Sequence, residues 1–304
     1  MRYAEKRQLP AGLHFVATPI GSARDITLNA LDVLASADVL ASEDTRTTRR
    51  LMDIHGIPLE GRPLIAYHDH NGPRRRPQIL AHLEAGKSVA YVSEAGTPLV
   101  ADPGYALGRA AIEAGHRVFA VPGPSALLAA LTVSGMPTDR FLFAGFPPTG
   151  RAARRRFLRE LADIPATVVF YESPKRIHGL LDDLVEVFGS ERDSAIGREL
   201  TKRFEEVMRG PIADLREQLA ERRLKGEIVL VVGRPVRAQV SRADLDRALE
   251  EALETHTRKD AVALVAERLG LARREVYQAA LALGKDGAGS DGADTGGKEE
   301  AENG

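Results

Sequence analysis

Apolar residues come along this chain in two rhythms. Runs of five or six, LHFVAT (13–18), DVLAS (38–42), PLIAY (63–67), SVAYVS (88–93) and RVFAV (117–121), have the hydrophobicity of strands buried on both faces. Between them, apolar positions recur three and four apart, as at Leu28, Leu31 and Leu34 or Ile79 and Leu83. That spacing makes one stripe of an amphipathic helix. Strands alternating with helices predict a largely parallel sheet covered on both sides.

A second α/β unit follows. FLFAGF (141–146) opens it, then the basic helix RAARRRFLRELA, ATVVFYES (166–173) and a helix over 177–188. DSAIGREL, FEEVMRG, a helix over 212–224 and EIVLVVG (227–233) complete it. FEEVMRG directly after another strand-like run points to an antiparallel element and a mixed sheet. The link between the halves is expected near 123–135, whose edges are rich in Gly, Ser and Pro.

From 241 the rhythm is helical throughout. Leu245, Ala248, Leu249, Ala252 and Leu253 follow a Ser241 N-cap, 260–269 repeats the pattern before Gly270 as C-cap, and 273–283 gives a third helix. Three short helices with a tight glycine turn suit a helix-turn-helix or a small packing bundle; Arg258, Lys259, Arg273 and Arg274 favour nucleic acid. The expected division is 12–123, 124–235, a helical module over 241–284, and a tail over 285–304. That tail holds two lysines and six acidic residues with no apolar anchor, and is expected to be disordered.

Charge adds little. The net −1 includes −4 from the tail, which leaves the remainder at +3, too weak for a protein that coats nucleic acid. Any RNA contact must be local. Arg151, Arg154, Arg155 and Arg156 are the candidates, since no acidic run lies beside them in sequence. Arg46, Arg49 and Arg50 read as a solvated face, as does Asp182–Asp183. There is no cysteine, which excludes disulfides, thiolate metal sites and a cysteine nucleophile and suits a reducing cytosol. No stretch reaches the roughly 20 apolar residues of a membrane helix, and MRYAEKRQLP has no apolar signal core. A cytoplasmic protein is expected.

Walker, G-x-G-x-x-G, H-E-x-x-H and G-x-S-x-G signatures are all missing. His68 and His70 lack a third nearby ligand and read as polar loop residues, so no metal is expected. What remains is three Gly/Pro loops at strand ends, ATPIGSARD (17–25), SEAGTPLVADPG (93–104) and VPGPSA (121–126). Ligands of open α/β sheets settle outside the carboxyl ends of the strands. Glycine lets backbone approach a ligand and proline fixes the loop beforehand.

These loops, with SEDTRTTRRL, YHDHN, FAGFPP, YESPKRI and RELTKRFEEVMRG in order over more than 200 residues, resemble the ribosomal RNA small subunit methyltransferase I family. That family lies within the tetrapyrrole methylase-like (class III) methyltransferases. The resemblance implies two α/β domains with S-adenosylmethionine in the cleft between them, a small C-terminal helix-turn-helix-like module, and a homodimer. It implies 2′-O-methylation of a cytidine in 16S rRNA of the small ribosomal subunit. Pro19 and Gly21 would stand beside the cofactor, Glu94, Ala95, Gly96 and Thr97 would form its main platform, and Ser125 and Ala126 would approach from the domain junction. Two departures stand out: Ser22-Ala23 replaces a common Asn-Leu, and Glu94 a common Asp.

A ribose hydroxyl is a poor nucleophile, so a base or a cation beside the developing alkoxide would help. Glu172, Lys202, Glu205 and Arg198 lie in family-like motifs; Glu172 and Lys202 are preferred, with a salt bridge that shapes the cleft as the alternative for each. A tetrapyrrole methyltransferase and a non-catalytic nucleic-acid-binding protein remain the other readings.

Overall fold

The computed structural model describes residues 4–235 and 241–286, apart from Asp69, Asp102 and Gly270. Chain contacts divide it into two units, Met1–Pro235 and Val236–Gly304.

In the first unit, β1 (Gly12–Val16), β2 (Val39–Ser42), β3 (Leu64–Ala66), β4 (Ser88–Val92) and β5 (Val118–Val121) form one sheet in the order β3-β2-β4-β1-β5. Every pairing is parallel, so the loops that follow the strands leave from one edge. From β1 the chain runs outward to β2 and β3, returns to β4, then crosses to β5. The β1–β4 pair is thus the switch point where such sheets take ligands.

Side chains alternate between two cores. Leu13, Phe15, Val89 and Tyr91 pack with Ile79 of α3 (Gly72–Glu84) and Leu107 of α4 (Tyr105–Glu113). Val16, Ala90 and Val92 pack with Leu31 and Leu34 of α1 (Leu28–Ser36) and Met52 of α2 (Thr45–Ile54).

The expected link is mostly helix. α5 (Ala126–Ser134) fills it and ends at Gly135, whose φ of 76° is the left-handed cap that glycine accepts without strain. Only the edges of that segment are loop-like; its interior is apolar at nearly every position. Leu127, Ala130 and Leu131 pack on Val169, Ala195, Val229 and Val231, so α5 underlies the second sheet.

That second sheet contains β6 (Phe141–Gly145), β7 (Thr167–Glu172), β8 (Asp193–Arg198), β9 (Glu206–Pro211) and β10 (Ile228–Val232), in the order β6-β7-β10-β8-β9. β6 and β7 pair parallel and the rest antiparallel, as FEEVMRG predicted. On its other face α6 (Arg151–Leu161), α7 (Ile177–Phe188) and α8 (Ile212–Leu219) cover Val168, Phe170, Ile228 and Leu230. α8 stops at Leu219 rather than 224 because the chain turns back: Arg222 reaches Glu206 at 2.8 Å, and Leu224 packs on the core.

The second unit contains α9 (Arg242–Leu253), α10 (Arg258–Leu269) and α11 (Arg273–Asp286). Ser241 caps α9 by accepting from Asp244 N at 3.1 Å. Leu249, Ala261, Val265 and Val276 form its core, while Arg258, Lys259, Arg273 and Arg274 stay exposed. Gly270 and the tail beyond 286 lie outside the described residues.

Candidate active site

The three strand-end loops are bonded into one body. Thr18 and Gly96 exchange both backbone hydrogen bonds at 3.0 Å, which is why the first run leaves its strand before Thr18. Ser93 Oγ donates to the Gly96 carbonyl at 2.6 Å, and Thr18 Oγ1 to the Ser93 carbonyl at 3.1 Å. Thr97 Oγ1 ties the loop after β4 to the one after β5 through the Pro124 carbonyl, 3.0 Å away. Gly96 has φ 83°, and a Cβ there would stand 3.3 Å from Ile20. Leu99 and Ala101 adopt left-handed φ of 71° and 56° without being glycine, a strain that concentrates at ligand loops.

Facing this body are Tyr171–Pro174 at the end of β7 and Gly226–Val229 at the start of β10. The cleft between them measures about 490 Å³. Glu94, Ala95, Gly96, Thr97, Ser125 and Ala126 line it, six of the eight residues expected around a cofactor. Pro19 and Gly21 do not; Ile20, between them, does. Gly21 instead faces the second lobe, and Ser22 N donates to Thr201 Oγ1 at 3.1 Å.

Glu172 lines the cleft with its side chain wholly shielded from solvent. Oε1 accepts from Ser173 N at 2.8 Å, whereas Oε2 lies 3.1 Å from Arg176 Nη2 but has no aligned hydrogen bond. Burial pushes its carboxyl above the usual range, against the pull of Ser173, Arg176 and Arg154. A buried oxygen without an aligned donor is costly unless something else binds it.

Lys202 stands elsewhere. Its ammonium donates to Glu199 Oε1 at 2.9 Å and Glu227 Oε2 at 3.0 Å, and it does not line the cleft. Burial works against its charge, but those two carboxylates prevail and raise its pKa. It clamps the two carboxylates together. The clamp secures a strained turn: Glu199 and Thr201 have φ of 52° and 64°, and a Cβ on Gly226 would stand 2.3 Å from Glu199 Cδ. Of the other candidates, Glu205 bonds Thr201 N at 2.6 Å and Arg198 bonds Glu206 at 3.1 Å. Neither lines the cleft.

The arginine-rich helix requires a correction. Asp183, expected on a solvated face, has a fully buried side chain that pairs with Arg154 at 2.7 Å, Arg155 at 2.7 Å and Arg151 at 3.3 Å. Burial opposes the Asp183 charge, yet these guanidinium groups hold its carboxyl below the usual range. Glu186 takes Arg155 and Arg151 as well. The acidic partners sit one helical turn apart on α7, about 30 residues away in sequence, so inspection of the neighbouring sequence could not find them. Arg154 is buried, Arg155 largely covered, and Arg151 and Arg156 exposed.

Sequence reasoning missed Ile20, Glu43, Phe146, Tyr171 and Glu227 as cleft residues. Their motifs were visible, but only the meeting of the two lobes shows which side chains face inward. Among the described residues no group of three His, Asp, Glu or Cys side chains could hold a metal, and no helix is long and apolar enough to cross a membrane.

Comparison with known proteins agrees with this architecture. The description of the tetrapyrrole (corrin/porphyrin) methylases matches residues 12–216. Uroporphyrin-III C-methyltransferase from Thermus thermophilus, solved with S-adenyl homocysteine, superimposes with a TM-score of 0.53 at 19% identity, over 74% of this chain and 99% of that one. A cobalt precorrin-4 methyltransferase gives 0.56 at 18%, over 73% and 94%. The fold is thus that of the tetrapyrrole methylase class. Ribosomal RNA small subunit methyltransferase I of Mesorhizobium japonicum is 47% identical over 285 residues, 93% of this chain and 95% of that protein. Its counterpart in Escherichia coli O157:H7 is 42% identical, over 88% and 94%. The RsmI C-terminal HTH domain matches residues 239–284. The chain belongs to the ribosomal RNA small subunit methyltransferase I family.

Proposed function

We propose that this protein transfers a methyl group from S-adenosylmethionine to the ribose 2′-oxygen of a cytidine in 16S rRNA of the small ribosomal subunit. The observation that carries this reading is the cleft at the β1–β4 switch point, walled by three strand-end loops and by a buried glutamate with one oxygen unsatisfied. Its volume of about 490 Å³ falls within the roughly 300–1,000 Å³ of small-molecule sites, and Gly96 leaves the backbone bare where a Cβ would crowd Ile20. These residues fit the donor.

When bound, S-adenosylmethionine supplies a methyl group on a sulfonium whose positive charge disappears on transfer. Alignment therefore matters more than a strong electrophile. The bonded loops 93–97 and 121–126 hold the platform rigid, and Tyr171 fixes the start of α5 by accepting from Leu127 N at 3.1 Å. Glu172 offers Oε2, which has no aligned hydrogen bond of its own, to a hydrogen bond from the bound donor. Lys202 acts as a positioning residue: it holds Glu227 in the cleft wall through the turn at 199–202.

On the RNA side, Arg151 and Arg156 present the exposed charge of α6, and Arg154 supports that helix from inside. The helical module adds the exposed Arg258, Lys259, Arg273 and Arg274. The protein works as a cytoplasmic homodimer. Purified protein incubated with labelled S-adenosylmethionine should label small ribosomal subunits and no tetrapyrrole precursor; mass mapping should place the label on one cytidine ribose. Label in the tetrapyrrole, or in neither, would reject the proposal.

A further inference from the structure

A second hollow of about 450 Å³ opens beside the cleft, between the N-terminus of α2 and the loop after β3. The two hollows share Glu43 and Glu94. Whatever occupies the second one therefore lies against whatever occupies the first. Three carboxylates, Glu43, Asp44 and Glu94, stand in its wall beside Arg46, His68 and His70. Such a wall repels a phosphate and accepts hydrogen bonds from hydroxyl and amino donors. Hydrogen bonds from Arg46 hold Asp44 at a pKa of about 2, so it remains an acceptor at any working pH. Phosphates have partners outside the hollow: Arg49 and Arg50 are exposed on the surface of α2.

The backbone of His68 is held by its neighbours. His68 N donates to Asn71 Oδ1 at 2.9 Å, and its carbonyl accepts from Asn71 N at 3.0 Å and Gly72 N at 2.8 Å. Its ring meets that of His70 edge-on, with centroids 6.0 Å apart. His68 is half-buried and His70 exposed.

We propose that this hollow is the acceptor pocket. It takes the nucleoside of the target cytidine out of the strand, a wall carboxylate accepts from the cytosine amino group, and His68 receives the proton of the attacking hydroxyl. Carboxylates accept from cytosine N4, and uracil offers no such donor, so the pocket selects cytidine. As the ribose oxygen bonds the methyl carbon, the carbon–sulfur bond breaks and its electron pair stays on sulfur, now neutral. The hydroxyl proton passes to the neutral imidazole, which carries the positive charge. The inference rests on the methyl transfer proposed above and adds where the acceptor binds and which base serves it.

The test uses the full chain. Cytidine titration should shift two histidine ring-proton resonances in the NMR spectrum, assigned by their absence in His68→Gln and His70→Gln; uridine should bind at least tenfold more weakly. His68→Gln should lower turnover on small subunits by roughly 10²–10⁴-fold, the range of general-base catalysis, and leave the S-adenosylmethionine Kd unchanged. Unmoved resonances, equal uridine binding, or wild-type turnover by His68→Gln would overturn the pocket. Label transfer by the unaltered protein is measured first: its absence indicts the reaction, whereas its presence beside an unresponsive His68 indicts only the acceptor site.

Discussion

Gly21 and Lys202 occupy each other's space: a Cβ on Gly21 would stand 2.5 Å from Lys202 Cγ and 2.6 Å from Thr201 Oγ1. Glycine is needed there to let the first lobe close on the second. Gly21→Ala should destabilise the protein by about 1–3 kcal/mol, the usual range for overpacking, and weaken donor binding by shifting the Ile20 wall. Thermal unfolding and calorimetric titration with S-adenosylmethionine would check both. An unchanged Tm would show that the contact yields without strain.

Lys202→Met removes the clamp and keeps the packing. The expected loss at neutral pH is about 1 kcal/mol, because Glu227 is 73% exposed and water screens the pair. The Lys202 hydrogen bond is the main reason the Glu199 carboxyl lies below its usual value. That stability is present above the unfolded-state pKa and lost as pH falls through the folded one. The difference between variant and wild type should therefore shrink in acid. Turnover should fall while donor affinity stays nearly intact.

Arg154 and Arg156 should separate fold from function. Arg154→Ala leaves a buried carboxylate short of one partner and should cost about 3 kcal/mol, the lower end for a broken buried pair, since Arg151 and Arg155 remain. Arg156→Glu should change stability by less than about 0.5 kcal/mol, weaken small-subunit binding, and reduce its salt dependence. Denaturant unfolding and binding at two salt concentrations would distinguish them.

Glu172→Gln should stabilise the protein at neutral pH and impair donor binding. Burial raises the Glu172 carboxyl above its unfolded value, so the charged form is disfavoured by folding and stability falls as pH rises through the folded pKa. Glutamine mimics the uncharged form. Its advantage should be present at pH 8 and vanish at pH values below the unfolded carboxyl range. A variant no more stable than wild type at pH 8 would contradict the assignment.

What the sequence determined by itself was local: the strand and helix rhythms, the mixed character of the second sheet, and the two loops, after β4 and after β5, that supply six expected cleft residues. Those features follow from which side of a strand or helix each residue takes, and periodicity along the chain carries that information. Tertiary structure decided everything that depends on partners far away. Asp183 meets Arg154 across 29 residues, and Ser22 meets Thr201 across 179. A charged residue on a helix reads as solvated until a second helix buries it. A loop glycine reads as a ligand contact until the opposite lobe fills its space, and Glu172 became a cleft residue only when the end of β7 faced the loop after β4.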